Sequence, residues 1–290
     1  MPQSIKLAMS ELRATPINIH RFREGRLHSA LDVVASEEPL EMRIGFGPED
    51  DREQRNIAVT MRTPGHDLEL TLGFLFTEAV IQGFDNITHI DHCTDASGKA
   101  SKNVVRAELH PEVLMDWNKL QRNFYTSSSC GVCGKASIES LQSICPKKVS
   151  SDIKLDSEII RKLPDTMRKA QEIFEHTGGL HASALFQSDG ELLLLREDIG
   201  RHNALDKIIG AAIFSKNHSL DQCIIVLSGR CCYELVQKTA MAGISVIVSV
   251  GAPSSLAVET ADEFGITLIG FVKPKSFNVY AHTHRFKDQD

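Results

Sequence analysis

The chain has 290 residues, 42% of them apolar, and a formal charge of −6 at pH 7. This is enough for one large or two ordinary domains, and the acidic balance, concentrated in residues 1–125, leaves no broad basic face for nucleic acid. The opening "MPQSIKLAMSELRATP" lacks the apolar stretch of a secretory signal and no later run is long enough to span a bilayer, so the expected setting is the reducing cytoplasm, with the seven cysteines as free thiols.

Residues 1–30 are polar and weakly patterned, suiting a mobile arm or an edge segment. "LDVVASEEPLEMRIGFG" and "NIAVTMRTPG" read as extended, and after Pro64-Gly65 the segment "HDLELTLGFLFTEAVI" carries Leu68, Leu72, Leu75 and Ala79 at helical spacing. There His66 reads as a cap and Glu78 as a surface acid. A hairpin, "ITHIDHC" with "NVVRAEL", and a short helix, "EVLMDWNKLQ", complete a small α+β domain over residues 1–125.

The second half, residues 126–290, reads as an α/β domain. Residues 156–176 are helical with a break predicted at Pro164, and Asp189-Gly190 marks a hairpin between "LHASALF" and "ELLLLRE". "NALDKIIGAAIF" is an amphipathic helix with Leu205, Ile208, Ile209 and Ala212 inward. Then "QCIIVLS", "YELVQKTAMAG", "SVIVSVG", "SSLAVETADEFG" and "TLIGFV" alternate strand and helix, the signature of a mostly parallel sheet covered by helices.

In such a sheet the turns Ser228–Cys231, Gly251–Ser255 and Lys273–Ser276 all emerge at the carboxyl edge, where ligands of open α/β sheets bind. Two of them lead into helix N-termini, which favour phosphate, and Arg230, Lys273 and Lys275 add positive charge.

"SSSCGVCGKAS" places Cys130 and Cys133 at C-x-x-C spacing. Zinc needs two further ligands, but there is no second C-x-x-C and the first cysteine follows Ser129 rather than the proline of a deaminase-type P-C-x-x-C, so no metal is expected there. A pair of reactive thiols fits better. Gly131 and Gly134 keep the backbone open, Ser127 to Ser129 offer cap oxygens, and Lys135 with a following helix would favour thiolate. The spacing suits both disulfide exchange and release from a persulfide. Cys145 and Cys223 read as boundary and core residues, whereas Cys231 and Cys232 stand beside the ligand edge with their role open. "LREDIGRHNALDK" gathers six ionised groups and His202; it reads either as a solvated salt-bridge face or as a loop entering a cleft.

Taken together, "SSCGVCGKASIE", "LREDIGRHNALDK", "ELVQKTAMAG", "GAPSSLAVE", "FNVYAH" and "VTMRTPGHDLELTLGFLFTE" resemble the FdhD/NarQ family of formate dehydrogenase accessory sulfurtransferases. The resemblance implies a cytidine deaminase-like second domain without its metal chemistry. It also implies sulfur transfer from a cysteine desulfurase to the bis-guanine-dinucleotide molybdenum cofactor of formate dehydrogenase, with a persulfide on Cys130 assisted by Cys133. The cofactor segment falls on Phe271, Val272, Lys273, Pro274, Lys275 and Ser276, beside Ser228, Gly229 and Arg230. A cofactor-binding chaperone without chemistry and a thiol–disulfide oxidoreductase are the alternatives. A homodimer without membrane or nucleic-acid partners is expected. Cys231-Cys232 stand where small or hydroxyl residues are expected, which adds a thiol pair near the cofactor.

Overall fold

A computed structural model describes residues 13–94, 98, 100–115, 117, 148–215 and 219–287. It contains a two-stranded ribbon, a four-stranded sheet and a six-stranded sheet. No described helix is long and apolar enough to cross a membrane.

The ribbon pairs β1 (Ala14–Arg23) with β2 (Arg26–Ala35) around Glu24 and Gly25, both at positive φ. Residues 14–30 are therefore paired strand, where the sequence had suggested an arm or an edge. Their polarity misleads because most of the ribbon faces solvent, and only its base packs, Ala14 joining Ile173 and Leu180.

The smaller sheet runs in the order β4 (Glu53–Arg62), β3 (Glu38–Phe46), β6 (Ala100–Leu109), β5 (Ile87–Thr94), with β3 and β6 parallel and the outer pairs antiparallel. Leu72 and Leu75 of α1 (Asp67–Thr77) pack on Ile44, Ala107 and Leu109 of this sheet, as the helical spacing predicts. Of the short helix predicted over residues 112–121, residues 113–115 are irregular instead, and most of the remainder lies outside the described residues.

The large sheet is ordered β12 (Ser276–Ala281), β11 (Thr267–Lys273), β10 (Val246–Ser249), β9 (Cys223–Leu227), β7 (His181–Gln187), β8 (Leu192–Asp198). β9, β10 and β11 are parallel; β7–β8 and β12 add antiparallel edges. Side chains alternate between two apolar layers. Ile225, Leu227 and Ile247 share one with Leu205 and Ile208 of α4 (Arg201–Ser215), Leu235 of α5 (Tyr233–Met241) and Ala257 of α6 (Ser255–Phe264). Ile224, Val226 and Val248 share the other with Ile160, Leu163 and Met167 of α2 (Ser157–Ala170). Burial on both faces explains the continuous apolar strands.

Two expectations need correction. α2 passes through Pro164 without ending; the break falls at Gln171, whose φ of −78° and ψ of 90° are extended, before α3 (Glu172–Thr177). Proline removes one helical hydrogen bond but already holds a helical φ, and the buried stripe of Ile160, Leu163 and Met167 keeps the helix on the sheet across it. Second, "LREDIGRHNALDK" is no solvated face. Asp198, Asp206 and Lys207 are buried, because α1 packs over α4 with backbones in contact at Gly73 and Gly210, where any Cβ would overlap the carbonyl of Asp206 or Glu69.

Candidate functional site

The three loops leaving β9, β10 and β11 are laced together. Gly229 O accepts from Gly251 N (3.1 Å) and Ser249 Oγ (2.6 Å), Cys231 bonds Ala252 and Ser254 through its backbone, and Phe271 N donates to Gly251 O. Phe271 sits at φ 52° in a bulge that shifts the β11–β12 register between Gly270 and Lys273. The bulge puts Val272 on the same apolar face as Ile269, three residues earlier, where strict alternation would have turned it away.

Beside these loops a cleft of about 490 Å³ opens between the carboxyl edge of the sheet and the end of α2. Met167, Phe174, Val250 and Val272 give it apolar walls, and His181 and Ser228 stand on its sheet side. Arg168 stacks over the Phe174 ring at 4.0 Å. Burial, then the charges of Arg201, His202 and Arg230, hold the His181 pKa below its ordinary value, so a cationic field reaches this imidazole. An apolar slot bordered by guanidinium groups suits a planar base carrying phosphate.

Further along the same edge, α4 and α5 bring His202, Cys232 and Glu234 together. His202 Nε2 lies 3.2 Å from Cys232 Sγ and 2.7 Å from Glu234 Oε2, with the histidine and the carboxylate both partly exposed. Burial disfavours the charged imidazole, but the hydrogen bonds and charges of Cys232 and Glu234 outweigh it and lift the His202 pKa to about 9. Burial likewise opposes ionisation of Cys232, yet His202 overrides it and the Leu235 amide contributes, so the thiol sits below its ordinary value. Neighbouring Cys231 is fully buried, and burial drives its pKa up.

One turn deeper the same helices make a closed cluster. Lys238 Nζ donates to Thr77 Oγ1 (2.8 Å), Glu78 Oε1 (2.9 Å) and both oxygens of Asp206 (3.1 and 3.0 Å). Glu78 is thus a buried ion partner, correcting its reading as a surface acid. His66 occupies the position before α1 at φ 58° and its carbonyl accepts from Leu70 N, but its side chain makes no cap bond; it pairs with Glu69, which Arg196 also grips through two bonds. Lys207 Nζ meets Asp198 Oδ2 at 2.6 Å and Thr63 O at 2.9 Å.

Of the residues singled out by sequence, Ser228 and Val272 line the cleft, and Gly229 backs onto His181 closely enough that a Cβ would lie 3.2 Å from its ring. Ser228 Oγ is occupied by Ala182 N at 2.8 Å. Arg230 and Phe271 are exposed beside the cleft, as are Lys273, Pro274, Lys275 and Ser276 in the β11–β12 turn; Pro274 O accepts from Arg161. Cys130, Cys133 and Cys145 lie outside the described residues. Cys223 is buried with its pKa raised to about 11, a core residue as expected. Cys232, placed beside the ligand edge by sequence with its role open, is the thiol of the outer cluster, whereas His181 and Glu234 are not singled out by sequence; the signal is their position at the edges of the ligand-facing loops.

The sequence from residue 35 to residue 287 matches the FdhD/NarQ family. The chain belongs to that family. Within FdhD/NarQ, a sulfur carrier protein FdhD from Streptomyces avermitilis is 44% identical over 269 residues, covering 91% of this chain and 93% of its own. One of the same name from Sulfolobus acidocaldarius is 40% identical, covering 93% of this chain and 97% of the relative. The crystal structure of a protein from Desulfotalea psychrophila, described as a formate dehydrogenase accessory protein, superposes with a TM-score of 0.71 at 23% identity, covering 94% of this chain and 99% of its own, and so shares the fold. The FdhD/NarQ match spans the C-x-x-C, the three laced loops and the His202–Cys232–Glu234 cluster alike.

Proposed function

We propose that this chain is a sulfur carrier that serves formate dehydrogenase, taking sulfur from a cysteine desulfurase as a persulfide on Cys130 and passing it to the bis-guanine-dinucleotide molybdenum cofactor. One observation carries the reading: relatives matching more than nine-tenths of both chains bear the name sulfur carrier protein. The acceptor side is supported by the cleft at the carboxyl edge. Its apolar walls suit a guanine face, Arg168 on its wall offers a cation for the pyrophosphate, and the charges of Arg201 and Arg230 reach His181 on its sheet side. Lys273 and Lys275, exposed on the neighbouring turn, extend that charge.

In this scheme the Cys130 thiolate attacks the outer sulfur of the desulfurase persulfide, whose own cysteine leaves as thiolate. Cys133 then assists release toward the acceptor or restores the thiol. The test is the mass of the full chain after incubation with a cysteine desulfurase and cysteine, with peptide mapping. The expected result is a gain of one sulfur atom on the peptide holding Cys130, removed by reduction and absent in Cys130→Ala. A chain that gains no sulfur, yet still supports formate dehydrogenase maturation as Cys130→Ala, overturns the covalent role and leaves a cofactor-binding chaperone. Binding of guanosine diphosphate, weakened on the order of tenfold by Arg168→Ala through loss of a charge-assisted contact, tests the acceptor side separately.

A further inference from the structure

Cys232 has the surroundings of a working nucleophile: its backbone starts α5, while its sulfur is turned toward a histidine. Its sulfur lies 3.2 Å from His202 Nε2, on a different helix, and it occupies the residue preceding α5, a helix of nine residues. Glu234, reaching the same Nε2 at 2.7 Å, favours the imidazolium that pairs with the Cys232 thiolate before the reaction. The charged groups facing the sulfur are His202 from α4 and Glu234 from α5, with Lys238 and Arg201 acting on Glu234 and Glu78 on Tyr233.

Cys231 provides an internal control. It is equally a cysteine in the same loop, yet its backbone is stitched to Ala252 and Ser254 and its side chain is sealed into the apolar layer.

We propose that Cys232, held against His202 and Glu234, is a second sulfane-sulfur acceptor of this protein, able to hold a persulfide at the carboxyl edge of the large sheet. The Cys232 thiolate attacks the outer sulfur of a persulfide donor, R–S–SH. A new S–S bond forms to Cys232, the donor's S–S bond breaks, and the donor leaves as R–S⁻. The imidazolium of His202 gives that thiolate its proton, so the products are R–SH, Cys232 persulfide and neutral His202. The sulfane sulfur moves without net oxidation or reduction. His202 acts here by orienting the Cys232 thiolate and donating the proton to the leaving group. The physiological purpose rests on the sulfur-carrying reading above, whereas the reactivity of the thiolate does not.

The experiment uses the full chain as Cys130→Ala/Cys133→Ala, treated with glutathione persulfide at pH 7, with the unsubstituted chain treated in parallel. Expected is a gain of one sulfur atom mapped to the Cys231–Cys232 peptide in both, retained in Cys231→Ser and lost in Cys232→Ala. His202→Gln should slow the labelling about tenfold at pH 7 and move its pH profile upward toward an ordinary thiol, since each unit of thiol pKa changes the thiolate fraction tenfold. No label on that peptide, label on Cys231 instead, or a pH profile unmoved in His202→Gln would overturn the proposal. So would a zinc ion held by His202, Cys232 and Glu234 that blocks labelling until it is chelated. Failure of desulfurase loading at Cys130 with normal labelling at Cys232 would sink the carrier reading alone, so the two outcomes separate.

Discussion

Helices α4 and α5 build two ionic clusters one helical turn apart, and the two have opposite characters. At the outer end His202 meets Glu234 and Cys232; four residues on, Asp206 meets Lys238. The inner lysine has four bonds to oxygen and is walled in by α1, so its charge is fully compensated and its donors are committed. The outer histidine faces two acceptors with one N–H and remains open to solvent. Identical spacing on the same two helices thus yields a fastener at one level and a reactive group at the other. What separates them is whether a third helix covers the cluster.

The largest effect should come from disturbing the inner cluster. Lys238→Met leaves Asp206 and Glu78 buried without their cation and is expected to cost about 3–5 kcal/mol in denaturant unfolding. Adding Asp206→Asn and Glu78→Gln should recover part of it; no recovery would mean that the charges are not what the lysine compensates.

A smaller loss is expected from Gly73→Ala. The added methyl overlaps the Asp206 carbonyl and must push α1 off α4, at about 1–3 kcal/mol. Because α4 also carries His202, alkylation of Cys232 should shift toward the pH dependence of an ordinary thiol in the same variant. An unchanged profile would show that the two levels are mechanically independent.

The smallest effect is a pH dependence at the outer cluster. His202 has a folded pKa of about 9, above its unfolded value, so its contribution is complete below about pH 6.5 and is lost as pH rises through 9. Cys232 is depressed, so its contribution is present above its unfolded value and is lost as pH falls through its folded one. Stability of the unsubstituted chain relative to His202→Gln should therefore shrink as pH rises through 9, read from urea midpoints at each pH. A difference that grows over that range would reverse the assignment.

Much of the large sheet was legible because its information is local: apolar strands punctuated by Gly and Ser, the Asp189-Gly190 turn, and the inward face of Leu205, Ile208, Ile209 and Ala212 all recur in the fold. The inner cluster was not. Glu78, Asp206 and Lys238 sit in separate segments, and a charged residue in a polar run looks solvated until the helix that covers it is known. Cys231 and Cys232 were inseparable in sequence for a related reason: adjacent residues preceding a helix point in different directions, one into the apolar layer and the other toward α4. Val272 reached the cleft only through the bulge at Phe271, a feature that alternation cannot anticipate.

The contact between Gly73 and Gly210 sets a geometric datum for the whole molecule. Where two main chains touch, no side chain can act as an adjustable spacer, and the crossing has no slack to absorb a change in volume. The smaller sheet, packed on α1, is therefore held at a distance from the larger that the two main chains themselves set.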